Sequence, residues 1–442
     1  MEMVRLVREL LSLLKKKNKL INKIKNMSDT EDKKRLLSNF FSLSILQLFT
    51  YILPLLTLPY LVRVLGVDKF GLVMYAQAFI MFFNILVDYG FNLSATREIS
   101  INRDNKEKVN EIFVSVMILK IFFIISSFII LSIIVFSFQK FSNYWELYYF
   151  TFLMVIGQAL FPTWYFQGLE RMNYITIINI IFKLIFTISI FIFIKNENDY
   201  IFVPIINGLG FILSGFVAQY IIFSKFNQTI ELKTLKLSEH IKNGFHVFLS
   251  IFSSTILTAS PILLIGTFFD YTIAGYYSAF EKIVSAIKSF FYIINQTFFP
   301  RLSKIFIENK LKYKFIWKKL SLYTIIISFT LYVILLIVSE IFIKLYLGEE
   351  FLEYIYIFYI LAFSMILYTI INSLGLNGLL VIGKHKELSV SQIIPSILFV
   401  CISPFILEYF GLIYFLVTII ITDIIIILIR IYFFKVLFYG KT

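Results

Sequence analysis

Cysteine is almost absent from this sequence, and charge is scarce. The single cysteine, Cys401, sits inside an apolar run, so the chain can form no internal disulfide and no thiolate metal site. Charged residues make up 15% of the 442 positions, against about 25% in average globular proteins. The three histidines, His240, His246 and His385, lie in or beside basic stretches, where surface positions are expected. No HExxH, Gly-rich phosphate loop or GxSxG element occurs, so the matching hydrolase and nucleotide chemistries have no motif to rest on. No metal and no cofactor is expected, and the chain does not read as an enzyme.

Apolar surface fills the space that charge leaves. Hydrophobic residues are 59% of the chain, with 52 Phe and 27 Tyr, and the mean hydropathy is +0.85. About a dozen apolar runs follow one another, over 37–62, 70–93, 112–138, 147–167, 174–194, 201–223, 245–268, 272–299, 320–342, 352–374, 388–407 and 410–434. Barrel strands would be about ten residues long and strictly alternating. These runs are about twice that and continuously apolar, which is the length a helix needs to cross a bilayer. The sequence therefore predicts an all-α integral membrane protein of about 12 transmembrane helices. Twelve crossings use about 240 residues, so no sizeable soluble domain fits.

Basic residues give the orientation. Of 41 lysines and arginines, 32 fall in every second connection or at the two ends, and only Arg63, Lys69, Lys140, Lys195 and Lys344 fall in the other connections. Basic residues near span ends are retained in the cytoplasm, so both termini are expected there and the span count is even. The net charge of +14 follows from topology and anionic headgroups, not from nucleic-acid binding. The connection after the sixth run divides the chain into a basic N-terminal segment (1–36), a first lobe (37–223), a cytoplasmic inter-lobe loop (224–244) and a second lobe (245–442) with a short cytoplasmic tail. In the first segment Val4, Val7, Leu10, Leu11 and Leu14 recur at helical spacing among lysines and arginines. That pattern suits a helix lying on the membrane surface, or a simple basic extension. It has no signal-peptide cleavage site.

A faint internal echo supports the division. Pro54 and Pro59 interrupt the first run and Pro261 the seventh. An acidic turn follows each, at Asp68 and at Asp270, and then a glycine, Gly71 and Gly275, 204 residues apart. Internal repeats and proline-broken helices are marks of transporters. Pro54, Pro59, Pro261, Pro395 and Pro404 are candidate bending points or static kinks, since each removes a backbone donor.

Four lysines remain inside the runs: Lys120, Lys183, Lys282 and Lys288. A charge at mid-membrane costs about 2.5–3.5 kcal/mol on insertion scales and faces a bundle interior or a wet cavity. Asp88, Glu281 and Asp423 are the nearby acids. They either pair with these lysines or, for Glu281 and Asp423, take part in ion coupling. Lys282 and Lys288 are six residues, about 600° of helix, apart and point in different directions. No acid lies inside the third to sixth runs, so the first lobe is expected to enclose positive charge suited to phosphate. Tyr51, Tyr75, Tyr89, Trp164, Tyr165 and Tyr174 could contact sugars, or simply pack.

The segments LPLLTLPYLVRVLGVDKFGLVMYAQAF, DYGFNLSATREIS (88–100), FPTWYFQGLERMNY (161–174), AGYYSAFEKI (274–283) and FFPRLSK (298–304) together resemble the Wzx-type polysaccharide flippases of the MATE-like (MOP) exporter superfamily. That resemblance implies two six-helix lobes in a V that open to either side in turn. It implies transport of polyprenyl-diphosphate-linked oligosaccharide across the bacterial plasma membrane for O-antigen, capsule or exopolysaccharide assembly. Lys120, Lys183 and Lys288 then become cavity residues, with membrane lipids, a polysaccharide polymerase and glycosyltransferases as further partners. Asp88 and Arg97 lie in matching segments and fit helix packing equally well. The rival readings are a cation or drug antiporter of the same superfamily, which would want acids in the first lobe, and a membrane-embedded polysaccharide polymerase.

Overall fold

A computed structural model describes residues 31–230 and 235–439, with side chains over 45–230 and 235–435. The basic segment expected at 1–36 lies outside the described residues except for its last six, which begin the first helix. Every regular element among the described residues is helical.

Helix α1 (Glu31–Asp88) has two arms separated at Gly66, whose backbone lies at φ 71°, ψ 163°. A β-carbon is strained at that positive φ, so glycine permits the break. Tyr89 (φ 46°) and Gly90 (φ 76°) then turn the chain into α2 (Phe91–Asn102). The first half continues with α3 (Lys106–Ser137), α4 (Trp145–Leu160), the short α5 (Thr163–Gly168), α6 (Met172–Phe193) and α7 (Phe202–Lys225). The second half comprises α8 (Leu237–Phe268), α9 (Tyr271–Glu308), α10 (Lys310–Tyr346), α11 (Ile355–Leu374), α12 (His385–Phe410) and α13 (Leu412–Tyr439). A π-helical turn, Gly375–Leu380, follows α11.

Among the described residues, ten helices are long and apolar enough to cross a membrane. Counting the two arms of α1 separately and adding α9, a 38-residue helix that carries Glu281, Lys282 and Lys288, gives about the dozen expected. The outer surface is apolar: Ile125, Ile129 and Ile133 form an exposed stripe at four-residue spacing on α3. Cys401 is likewise exposed, on a helix whose outer positions Ile397, Val400 and Ile402 are exposed too. The chain is a multi-pass membrane protein.

Each half packs on itself. Small residues let α4 and α7 approach closely, for a β-carbon added at Gly157 would lie 2.5 Å from the backbone of Ile212. The halves meet chiefly through α1, against α8 and α9. At the base-poor end, glycines 71 and 275, the pair of the sequence echo, face each other. A β-carbon on Gly71 would lie 1.8 Å from the Tyr271 carbonyl oxygen, and one on Gly275 2.4 Å from that of Val67. Lys140, on a single turn between α3 and α4, donates to the carbonyls of Gly266 and Thr267 and lies 5.4 and 5.3 Å from the ring centres of Tyr75 and Tyr271. At the basic end Tyr89 stacks on Phe248 with ring centres 5.0 Å apart. His240 of α8 is buried there between two carboxylates of the first half, with Nδ1 2.9 Å from Glu98 and Nε2 3.2 Å from Glu111. The seam between the halves is therefore joined at both ends. The helices run unbroken through Pro54, Pro59 and Pro261, and the backbone break of α1 is at Gly66.

Candidate functional site

The first cavity, about 280 Å³, lies among α1, α6 and α7. Its polar lining comes from Thr50, Thr57, Gln77, Asn179, Lys183, Thr187, Asn207 and Ser214, with Lys282 reaching in from α9 of the second half. Lys183 Nζ donates to Thr50 Oγ1 at 2.7 Å. Thr50 donates in turn to the Leu46 carbonyl at 2.7 Å, which leaves its oxygen free to accept. A hydroxyl steadies an ammonium without cancelling its charge. Lys282 has no hydrogen bond or ion pair among the described residues. No aspartate or glutamate lines the cavity. Two ammonium groups thus share a partly dry space with no acid in its lining, a setting in which attraction for phosphate is far stronger than in water.

The second cavity, about 610 Å³, lies among α8, α9, α11, α12 and α13, with Tyr51 of α1 at its edge. Four charged residues line it: Glu281, Lys288, Asp423 and Arg430. Arg430 is held entirely by neutral acceptors. Nε donates to Ser391 Oγ at 3.0 Å, Nη1 to the Ile371 carbonyl at 2.6 Å and Nη2 to Gln392 Oε1 at 3.1 Å. Its guanidinium occupies the space a side chain at position 375 would need, since a β-carbon on Gly375 would lie 2.3 Å from Nη1. Lys288 sits 5.7 Å from the ring centre of Tyr368, and Glu281 accepts from the Ser285 hydroxyl. Asp423 has no hydrogen bond among the described residues, and no ion pair there joins the four to one another.

Neighbours in sequence part company here. Thr50 and Lys282 face the first cavity while Tyr51 and Glu281 face the second. The first arm of α1 and α9 therefore line both cavities. This placement separates Lys282 from Lys288, as their angular spacing predicts, and leaves Glu281 and Lys282 out of ion-pair contact among the described residues.

The structure brings Lys183 and Lys282 together, and gathers Lys288, Glu281 and Asp423 around the other cavity. It sets Lys120 apart. Lys120 is buried against Asp88, with Nζ 3.1 Å from Oδ1, and lines neither cavity. The acid that cancels it comes from the end of α1, a different span. Of the six aromatic candidates, Tyr51 alone lines either of these two cavities; Tyr75 and Tyr89 belong to the seam, and Trp164, Tyr165 and Tyr174 pack in the first half. Pro54 touches the first cavity, whereas Pro59 and Pro261 touch neither. His246 and His385 are exposed as expected, but His240 is not a surface histidine. Sequence reasoning also missed Arg430, counted with the basic tail because it lies five residues before Lys435.

This helical fold is that of the MOP transporters. It overlays an inward-facing multidrug resistance MATE family transporter with a TM-score of 0.71, covering 88% of this chain and 96% of that one at 13% identity. It overlays the lipid II flippase MurJ in an inward closed conformation with a TM-score of 0.70, covering 89% and 87% at 16% identity. The sequence then narrows the class. Residues 36–306 match the family described as Polysaccharide biosynthesis protein, and the chain belongs to that family. A relative in Escherichia coli (strain K12) that bears the provisional name O-antigen transporter is 28% identical over 282 residues, 64% of this chain and 68% of its own length. A Shigella dysenteriae relative with the same provisional name is 29% identical over 257 residues, 58% of this chain and 64% of its own. The matched regions span about two thirds of each relative.

Proposed function

We propose that the chain is a flippase moving a polyprenyl-diphosphate-linked oligosaccharide across the bacterial plasma membrane, both its termini in the cytoplasm, by alternating exposure of the space between its halves. One observation carries this reading: ammonium groups from opposite halves, Lys183 and Lys282, converge on one cavity that has no acid in its lining. A diphosphate held there would bond to both halves at once, so substrate binding and the movement of the halves become one event. The O-antigen transporter relatives support the glycan part of the substrate. Pro54, Pro59 and Pro261 are the proposed bending points, since each lacks the donor that stiffens a helix. A glycan polymerase and glycosyltransferases are the partners that would consume and supply such a substrate. Asp423 and Glu281, the acids considered for ion coupling, line the second cavity and not this one. A cation antiporter would place carboxylates where the two lysines stand.

The test is glycan export in a host lacking its own flippase. Lys183→Ala and Lys282→Ala should each reduce export at least about tenfold, the cost of roughly one charge-assisted bond, with membrane insertion unchanged. Full export by both variants, or drug resistance conferred by the native chain without any export, would overturn the proposal.

A further inference from the structure

We infer that the second cavity is a sugar subsite, in which Asp423, Arg430, Lys288 and Glu281 select the saccharide while the diphosphate occupies the first. The inference rests on reading the first cavity as the diphosphate site. Three observations lead to it.

The first is that acids and bases in the second cavity are equal in number yet stand out of contact with one another. Two carboxylates, an ammonium and a guanidinium line one space, and none is in ion-pair contact with another among the described residues. Charges whose task was to hold helices together would have collapsed onto one another, because an unmatched buried charge is costly. Held apart across an open volume, they offer strong donors on some walls and strong acceptors on others. A polyhydroxylated guest matches that, because each hydroxyl both donates and accepts. A lipid tail does not, since it would strip water from four charges and replace none of the lost hydrogen bonds. A second phosphate does not either, as the acids offset the bases. Among the described residues no three His, Cys, Asp or Glu side chains stand together as metal ligands.

The second is the rest of the lining. Hydroxyls from Ser250, Ser254, Thr258 and Ser289 surround the charges, with the Tyr368 and Tyr292 rings among them. The cavity's 610 Å³ falls within the range of about 300–1,000 Å³ typical of pockets for small ligands. Arg430 is fixed in advance by its three neutral acceptors, which lowers the ordering cost of binding.

The third is position. Residues 50 and 51, and again 281 and 282, divide between the two cavities. The two cavities are thus neighbours along the same two helices, as two adjoining parts of one ligand require.

Binding to the purified full chain in detergent tests the assignment with two probes. One is farnesyl diphosphate. The other is the oligosaccharide freed by mild acid from the lipid-linked pool of the cell that makes this chain. Asp423→Asn and Arg430→Gln should weaken oligosaccharide binding at least about tenfold and leave farnesyl diphosphate within about twofold. Lys183→Ala should do the reverse. Ser254→Trp, which fills the cavity and alters no charge, should also abolish oligosaccharide binding and guards against misfolding of the charge variants. Unchanged oligosaccharide binding in Asp423→Asn and Ser254→Trp would overturn the sugar subsite while leaving the diphosphate site standing. Farnesyl diphosphate binding that ignores both Lys183→Ala and Lys282→Ala would overturn the diphosphate site instead. Failure of the native chain to bind either probe would overturn both.

Discussion

At the base-poor end the two halves meet glycine to glycine, and Gly71 leaves no space even for a methyl group before the Tyr271 carbonyl. At the basic end they meet through charge, with His240 of one half between Glu98 and Glu111 of the other. The two seams obey different physics. Contact between backbones is short-ranged: a gap of an ångström forfeits much of the attraction, so that seam is either shut or not. Two carboxylates around one imidazole call for both ring nitrogens to donate. Their attraction falls off slowly with distance, so that seam can loosen by degrees. Asn243, donating to Glu98 at 2.8 Å, and Lys108, paired with Glu111, extend the charged seam on both sides. A transporter that alternates between two openings has to release one seam while holding the other, and unlike seams allow that without unlike shapes.

Substitutions can break the comparison at either end. Gly71→Leu should have the largest effect. Overpacking a core costs about 1–3 kcal/mol when side chains can shift, and here the obstacle is backbone, which cannot turn aside. Glycan export should be lost. In a Cys401→Ser background, an added Thr267→Cys should become permanently accessible to a membrane-impermeant thiol reagent, and protection of that cysteine would refute the glycine seam. His240→Ala should come next. Removing one partner of a buried pair costs about 3–5 kcal/mol, because Glu98 and Glu111 would then face each other. Thermal unfolding in detergent should fall, and Asn243→Cys at the basic end should label faster while Thr267→Cys does not. Glu98→Gln should produce part of that effect.

Lys140 sharpens the contrast with the smallest change. Its cation–π contacts contribute about 0.5–1 kcal/mol each at partly exposed sites, and lost hydration offsets them. Lys140→Met should therefore alter seam accessibility by less than threefold, about 0.65 kcal/mol. Its pH signature is more telling. Burial in the closed seam pushes the Lys140 ammonium below its ordinary value of 10.5. The open form then binds the proton more tightly than the closed form. Raising pH from the depressed value toward 10.5 should tighten the base-poor seam, with the gain complete above that value and absent below the window. Labelling of Thr267→Cys should slow over that range in the native background and show no such trend in Lys140→Met.

Much of this architecture was legible because lipid imposes strict demands on sequence. Spans must be long and apolar, and a lysine within one must have a reason to be there; Lys183, Lys282, Lys288 and Asp423 all line cavities. Even the faint glycine echo was physical, since residues 204 apart now touch. What stayed hidden was tertiary pairing. Lys120 resembles Lys183 in sequence, yet Asp88 arrives from another span to neutralise it. Arg430 lies near the end of the last apolar run, and only the fold around Ser391, Gln392 and the Ile371 carbonyl shows that it turns inward. His240 stands among basic loop residues and gave no sign that two glutamates from the first half would enclose it.

Glu281 and Lys282 are adjacent, yet each delivers its charge to a different chamber. Successive side chains on a helix are about 100° apart, which is enough to send these two to opposite sides of α9. The paired exchange Glu281→Lys with Lys282→Glu would hand the anion to the first cavity and the cation to the second, with no charge added or removed. In this chain the numbering of one helix is itself a wiring diagram.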